Sequence, residues 1–263
     1  MTGDIDMGEY KLVCGDCAEV MASMPDGCVD LTVTSPPYDD LRKYNGYSFD
    51  FEEVARQLYR VTKDGGVVVW VVNDSTRKGT ESGNSFRQAL YFMEVGFNLH
   101  DTMIWVKDGG GAVGSVYCYT QNTEYMFVLS KGRPKSVNLI RDKPNGSFGK
   151  DKGTHGRRRK DGTVKIEHRG PAKPFSKRNN WWYITPHGED AGGHPAAFPL
   201  QLAKDHVISW SSPGDVVLDP FMGSGTTGVA ALTEGRDFIG IEISPEYVGV
   251  SEDRIRRWID GVA

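Results

Sequence analysis

The sequence has few cysteines and no long apolar run. Its 263 residues include four cysteines, and the pair Cys14-x-x-Cys17 has no second pair at zinc-ligand spacing. This excludes a disulfide framework, and we expect reduced thiols and no metal site. The longest apolar runs, such as Val67 to Val72, fall far short of the roughly 20 residues of a membrane helix. The acidic N-terminus lacks secretory-signal features, so we expect a cytoplasmic protein with no membrane partner.

Basic charge is scarce outside one segment. Between Lys131 and Arg178 the chain has sixteen Lys and Arg against four Asp and Glu, a net charge of +12. Because the whole chain carries -4, the remainder carries -16. An acidic body with one basic segment is typical of a protein with a local polyanion-binding surface, although a solvated basic loop has the same composition.

Short β-rich runs alternate with helical segments. We predict seven strands, at Tyr10–Cys14, Val29–Thr34, Gly66–Val72, Leu99–Lys107, Thr123–Leu129, Val216–Leu218 and Asp237–Ile241. We predict helices at Ala18–Met24, Phe51–Val61, Ser85–Gly96, Pro199–Ser209, Thr226–Glu234 and Pro245–Ile259. This order indicates an α/β fold with a mainly parallel sheet. No helix separates the fourth and fifth strands, which predicts one antiparallel strand at a sheet edge.

Residues 131–180 break this alternation. They are rich in Pro, Gly, Asn, Lys and Arg and poor in aliphatic residues, so they cannot build much core. We expect an insertion that projects from the sheet, rather than an independent domain. Trp181, Trp182 and Tyr183 follow it, and we expect them to pack where the chain re-enters the sheet.

A glycine-spaced turn follows the strand Val216–Leu218. It reads Asp219-Pro220-Phe221-Met222-Gly223-Ser224-Gly225-Thr226-Thr227 and leads into a predicted helix. Such a turn lets a nucleotide-like ligand approach the backbone, and the helix N-terminus offers N–H groups to a carboxylate or phosphate. The acid Glu242 ends the next strand, where it can accept hydrogen bonds from two ribose hydroxyls. Both features also occur in purely structural turns.

The most specific motif is Ser35-Pro36-Pro37-Tyr38, at the end of the strand Val29–Thr34. Consecutive prolines hold an extended backbone without N–H donors, which leaves carbonyl oxygens as acceptors for a ligand with an amino group. Tyr38 offers a ring on which a base can stack.

Together these segments resemble the amino-group DNA methyltransferases that use S-adenosyl-L-methionine. The motif order, catalytic motif before cofactor loop, resembles the circularly permuted beta class. The resemblance implies a Rossmann-like methyltransferase domain of residues 1–130 and 181–263, with a basic target-recognition insertion at residues 131–180.

The resemblance also implies site residues. The catalytic residues are Ser35, Pro36, Pro37 and Tyr38. The cofactor-binding residues are Asp16, His194, Phe198, Pro199, Asp219, Pro220, Phe221, Gly223, Gly225, Thr226, Thr227 and Glu242. The residues expected to contact double-stranded DNA are Arg157, Arg158, Arg159, Lys160, Arg169, Lys177 and Arg178.

The implied reaction is in-line transfer of a methyl group to an exocyclic amine of a flipped base. Filling of the gap left by that base is the alternative role for Trp181, Trp182 and Tyr183, although we favour packing where the chain re-enters the sheet. Neither residue after Pro36 is a cysteine, which argues against covalent C5-cytosine chemistry. In the resembling family, Ser at the first motif position accompanies N4-cytosine enzymes, and we favour that base over N6-adenine. RNA or protein-glutamine methylation and a silent DNA-binding protein are the alternatives. A second copy and a paired restriction endonuclease are further candidate partners.

Overall fold

The computed structural model describes residues 8–37, 50–107, 118–186 and 198–261. Its helices are α1 (Cys17–Ala22), α2 (Phe51–Val61), α3 (Asn84–Val95), α4 (Leu200–Trp210), α5 (Thr226–Thr233) and α6 (Pro245–Ile259). Its strands are β1 (Tyr10–Cys14), β2 (Val29–Thr34), β3 (Thr62–Val72), β4 (Thr76–Arg77), β5 (Thr80–Glu81), β6 (Asn98–Val106), β7 (Thr123–Ser130), β8 (Lys143–Pro144), β9 (Thr154–Arg158), β10 (Val164–His168), β11 (Phe175–Ser176), β12 (Trp181–Tyr183), β13 (Val216–Asp219) and β14 (Asp237–Glu242).

The central sheet has the order β1-β14-β13-β2-β3-β7-β6-β12. The strands from β1 to β3 in this order pair in parallel, so the N-terminal β1 lies beside the C-terminal β14, and β13 lies beside β2. The predicted mainly parallel α/β sheet is confirmed, and a permuted chain order explains how the two chain ends supply neighbouring strands.

Two details of the prediction were wrong. The sheet has eight strands in the described part of the chain rather than seven, because β12 adds to β6 in parallel. The antiparallel strand β7 lies between β3 and β6 and not at an edge. The sequence predicts that β6 and β7 pair, but it carries no signal for the three-residue β12. Trp182 of β12 is buried, as expected, whereas Trp181 and Tyr183 are exposed.

Two hydrophobic layers cover the sheet. Along β3, Val67, Val69 and Val71 pack in the layer that includes α4, α5 and α6, while Val68 and Trp70 pack in the layer that includes α1, α2 and α3. A strand buried on both faces has few polar positions, which is typical of a parallel sheet between helices.

The chain divides into two compact units. One comprises Met1–Asn138 with Asn180–Ala263, and the other comprises Leu139–Asn179. The smaller unit contains two antiparallel pairs, β8 with β11 and β9 with β10. The sequence predicts no strands there, because a ribbon that is exposed on both faces has no alternation of apolar and polar residues. All four cysteines are free. Within the described ranges, no helix has the length and apolar character needed to cross a bilayer.

Candidate functional site

Polar residues follow the carboxyl ends of five neighbouring strands. Asp16 follows β1, Glu242 ends β14, Asp219 ends β13, Ser35 follows β2 and Asp74 follows β3. Because these strands are parallel, their carboxyl ends meet at one edge of the sheet. The predicted catalytic motif and the predicted cofactor loop therefore lie on adjacent strands.

A buried hydrogen bond connects these two motifs directly. Thr34 Oγ1 donates to Asp219 Oδ1 over 2.6 Å, although 185 positions separate the two residues in the chain. Thr227 of α5 donates from Oγ1 to the Val33 carbonyl oxygen over 3.1 Å. Ser35 follows Thr34 at once, so both contacts fix the start of the predicted catalytic motif against the predicted cofactor loop.

The buried position of Asp219 changes its ionisation. Burial raises the pKa of Asp219 to about 6, although hydrogen bonds from Thr34 and the Phe221 backbone favour the ionised form. The amide of Phe221 donates to Asp219 Oδ1 over 3.1 Å. The Asp219 carboxyl group accepts from Thr34 of β2 and from Phe221 of the turn, so Asp219 connects the turn to β2.

Glu242 closes the glycine turn from the neighbouring strand. Its Oε2 accepts from the Gly223 amide over 3.0 Å, and its Oε1 accepts from the Ser244 amide over 2.9 Å. Each carboxylate oxygen has a second lone pair, so the oriented group can still accept from a ligand hydroxyl. Gly223 and Gly225 have φ of 52° and 78°, a region that favours glycine, which explains the glycine spacing of the turn.

Asp16 caps the first helix. Its Oδ1 accepts from the amides of Ala18 over 2.8 Å and Glu19 over 3.1 Å, and Asp16 is the N-cap of α1. The preceding Gly15 donates from its amide to the Glu242 carbonyl oxygen over 3.0 Å. The family resemblance implies that both Asp16 and Glu242 bind the cofactor, and these contacts bring the ends of β1 and β14 together.

The remaining predicted site residues differ in their surroundings. Phe198 is buried in the hydrophobic layer that also contains Met222 of the turn, and Pro199 is the N-cap of α4. Phe221 packs edge-on against Trp70, with ring centroids 6.1 Å apart. Pro220, Gly223, Gly225, Thr226 and Thr227 are buried within the turn and at the start of α5, Pro36 is buried, and Ser35 and Pro37 are half-buried. Tyr38 and His194 lie outside the described residues.

Sequence reasoning missed a polar network at the end of β3. The buried Asp74 accepts from Ser82 Oγ over 2.7 Å, from the Ser85 amide over 3.1 Å and from Ser85 Oγ. Burial raises its pKa, but the hydrogen bonds from Ser85 and Ser82 outweigh burial and lower the pKa below the ordinary value. Asp74 thereby ties the start of α3 to the end of β3. Its partners are eight or more positions away, so no local motif marks it.

Basic side chains cover the ribbon of β9 and β10 in the smaller unit. Arg157 pairs across the ribbon with Lys165, and Arg158 pairs with Val164. The turn between the strands contains Arg159 and Lys160, and every residue of both strands is exposed. A two-stranded antiparallel ribbon has a shape that enters the DNA major groove.

The other predicted DNA-contact residues differ from one another. Arg169 and Lys177 are exposed. Arg178 donates to Asp142 Oδ2 from Nε over 2.8 Å and from Nη2 over 2.5 Å, and this ion pair joins the two ends of the smaller unit. Arg178 therefore has an evident structural task besides the predicted DNA contact.

Comparison with known proteins assigns the family. The model of the N6/N4 DNA methylase family, described as DNA methylase, matches residues 29–253. The chain belongs to this family. The methyltransferase is 53% identical over 243 residues to the orphan methyltransferase M.BamHII of Bacillus amyloliquefaciens, covering 89% of this chain and 91% of that protein.

Solved structures are similar over nearly the whole methyltransferase. A DNA modification methylase of Thermus thermophilus, TTHA0409, complexed with S-adenosyl-L-methionine, is 28% identical, with a TM-score of 0.64 and coverage of 96% of this chain and 97% of that one. The PvuII DNA methyltransferase, named cytosine-N4-specific, is similar in fold, with a TM-score of 0.70, 22% identity and coverage of 97% and 94%.

These comparisons confirm the predicted enzyme class and cofactor. The protein is an S-adenosyl-L-methionine-dependent methyltransferase that acts on an exocyclic amine in DNA. Family membership favours this activity over RNA methylation, protein-glutamine methylation and a silent DNA-binding role. The donor set at the sheet edge fits the cofactor, because an oriented carboxylate, Glu242, adjoins a glycine turn and the start of α5.

Proposed function

We propose that the methyltransferase modifies the N4 amine of cytosine in double-stranded DNA. The motif begins with Ser35, and in the family that the sequence resembles this residue accompanies N4-cytosine enzymes. A hydroxyl can also accept a hydrogen bond from the N6 amine of adenine, so N6-adenine is the second candidate. The observation that carries the site assignment is the hydrogen bond between Thr34 and Asp219, which holds the catalytic motif beside the cofactor loop.

In the proposed mechanism, Ser35 and Pro36 orient the target amine. The Ser35 hydroxyl oxygen and the Pro36 carbonyl oxygen accept hydrogen bonds from the two amine protons. These bonds favour a more tetrahedral nitrogen and direct its lone pair toward the methyl carbon. As the nitrogen–carbon bond forms, the carbon–sulfur bond breaks, its electron pair stays on sulfur to give a neutral thioether, and the methylated amine releases one proton to water. The prolines keep this backbone extended, so the acceptors are oriented before the base arrives.

The cofactor supplies an electrophilic methyl group on a sulfonium. We propose that Glu242 accepts hydrogen bonds from the ribose hydroxyls and that Asp16 lies toward the adenine. The first amides of α5 would hold the cofactor carboxylate, because α5 begins at Gly225, an N-cap that has no side-chain hydrogen bond to these amides. Asp219 acts through Thr34 and the turn as a positioning residue.

The target base must leave the duplex to reach this edge of the sheet. Stacking on Tyr38 offsets part of the unstacking cost of a few kcal/mol. We propose that the ribbon of β9 and β10 enters the major groove, where Arg157 and Arg158 contact phosphates and base edges. The turn residues Arg159 and Lys160, with Arg169 and Lys177, add phosphate contacts.

Nucleoside analysis tests the choice of base. DNA is incubated with the enzyme and isotopically labelled S-adenosyl-L-methionine, digested to nucleosides and separated by mass spectrometry. Labelled N4-methylcytosine is the expected product. Labelled N6-methyladenine alone would refute the assignment and leave the amino-methyltransferase class intact. DNA that already carries N4-methylcytosine at the target sites is the control, and it should accept no label.

Two candidate protein partners are a second copy of this chain and a restriction endonuclease. We propose a homodimer, which sedimentation equilibrium of the purified enzyme tests directly. For the paired restriction endonuclease, the relative from Bacillus amyloliquefaciens bears the name orphan methyltransferase, which supports an enzyme that acts without one. A nuclease in the source cells that cuts only DNA lacking this methylation would establish the pairing.

A further inference from the structure

The helix α6 contacts the glycine turn with two buried polar side chains. Ser251 is fully buried, and its Oγ donates to the Gly223 carbonyl oxygen over 2.6 Å. Arg254 is 4% exposed, and its Nη1 donates to Ser224 O over 3.2 Å, to Ser224 Oγ over 3.1 Å and to Thr226 Oγ1 over 2.9 Å. Neither residue belongs to a motif in the sequence.

The helix α6 packs closely against the glycine turn. A Cβ added at Gly225 would lie 3.2 Å from the Ser251 Cβ, so α6 abuts the turn at this position. Ser251 and Arg254 are three positions apart, on the same face of the helix as the buried Ile255. Ile255, Ser251 and Arg254 therefore make their buried contacts from one face of α6.

The same helix is also connected to the strand end at Glu242. The N-cap of α6 is Ser244, whose amide donates to Glu242 Oε1 over 2.9 Å. Glu242 Oε2 accepts from Gly223 on the far side of the turn. One helix thus fixes both the carboxylate and the glycine turn that we assign to the cofactor.

We propose that Arg254, assisted by Ser251, is a positioning residue for S-adenosyl-L-methionine, which it serves by fixing residues 223–226 through its hydrogen bonds. The proposal rests on the cofactor role that we assign to this turn. Arg254 acts through the turn and contacts neither substrate, so its effect falls on cofactor affinity and not on the transfer step.

Three variants test this proposal. Arg254→Met keeps an unbranched stem, two atoms shorter than that of arginine, and removes the guanidinium with its hydrogen bonds, whereas Arg254→Lys keeps a charged hydrogen-bond donor. Arg256→Met is the matched control, because Arg256 lies on the exposed face of α6 and pairs with Glu252. We measure cofactor affinity by calorimetry, KM for the cofactor and for DNA, kcat, and the melting temperature of each variant.

Arg254→Met should raise the cofactor Kd and KM at least tenfold, with kcat at saturation within twofold of wild type and KM for DNA unchanged. Arg254→Lys should recover most of this affinity, and Arg256→Met should match wild type. If Arg254→Met does not fold, Ser251→Ala decides, because loss of one hydrogen bond of about 1 kcal/mol loosens the turn and should raise the cofactor Kd by up to about fivefold, the limit at which re-forming the turn on binding costs the whole of that free energy.

A folded Arg254→Met variant, or a Ser251→Ala variant, that binds the cofactor as tightly as wild type would overturn the proposal. So would an equal increase in the KM for DNA. In either case a wild-type enzyme that binds the cofactor leaves the proposed function standing. A wild-type enzyme that binds no S-adenosyl-L-methionine would instead refute the proposed function itself.

Discussion

Replacing Thr34 with valine removes the hydrogen bond that joins the proposed catalytic motif to the proposed cofactor turn. Valine has nearly the shape of threonine, so the packing of the fully buried side chain is kept. The lost bond is 2.6 Å long and its acceptor is the buried carboxyl of Asp219. A hydrogen bond to a charged group contributes about 1.5–3 kcal/mol, so we expect a destabilisation of that size at pH 8. The melting temperature should fall by roughly 3–12 °C.

The size of this effect should depend on pH. Because the folded pKa of Asp219, about 6, lies above its ordinary value of 3.8, the favourable contribution of the protonated carboxyl is present at low pH and is lost as the pH rises through 6. Thr34→Val removes a donor that favours ionisation, so it raises this pKa further. At pH 5 the carboxyl is mostly protonated, and the bond to a neutral acceptor contributes only about 0.5–1.5 kcal/mol.

Thr32 supplies a matched control on the same strand. It is also fully buried, but its Oγ1 has no hydrogen-bond partner among the residues that the structure describes. Thr32→Val therefore removes an unsatisfied hydroxyl, and we expect a neutral or stabilising effect. Urea titrations of the wild type and both variants at pH 5 and pH 8 give the free energies of unfolding. Equal destabilisation by the two substitutions, or no effect of Thr34→Val at pH 8, would refute the stabilising role of the hydrogen bond between Thr34 and Asp219.

Further predictions concern catalysis, DNA binding, pH and backbone strain. Ser35→Ala or Tyr38→Ala should lower kcat about a hundredfold and leave cofactor affinity nearly unchanged in calorimetry; an equal loss of cofactor binding would show that the site is misplaced. Replacing Arg157 to Arg159 with alanine should weaken DNA binding and reduce the salt slope of log K by up to about three; an unchanged slope would assign these residues to a solvated surface. Wild type should lose stability between about pH 4 and 7 as Asp219 ionises, and Asp219→Asn should abolish that part of the loss in urea titrations. Identical pH profiles of the two proteins would contradict the raised pKa of Asp219. Lys78 has a φ of 50°, so Lys78→Gly should increase the free energy of unfolding by roughly 0.5–1 kcal/mol, and a decrease would contradict the strain.

The core of the fold could be predicted from local patterns. The helices α2 and α6 and the strands β1 and β2 have the predicted bounds, because their hydrophobic periodicity coincides with clear start and stop residues. The permuted order followed from the family resemblance of motifs at two strand ends. The ribbon of β9 and β10 was missed because both of its faces are exposed, so its composition resembles that of a loop.

The sequence by itself determined the enzyme class, since the catalytic and cofactor motifs are short segments whose chemistry depends on adjacent residues. Only the tertiary structure decided how these segments are held. Thr34 has the local pattern of any strand residue, and Arg254 has that of any charged helix residue. Their roles depend on partners that are 185 and 28–30 positions away. Contacts across such distances form only when the sheet brings strand ends together, and burial then makes each hydrogen bond strong.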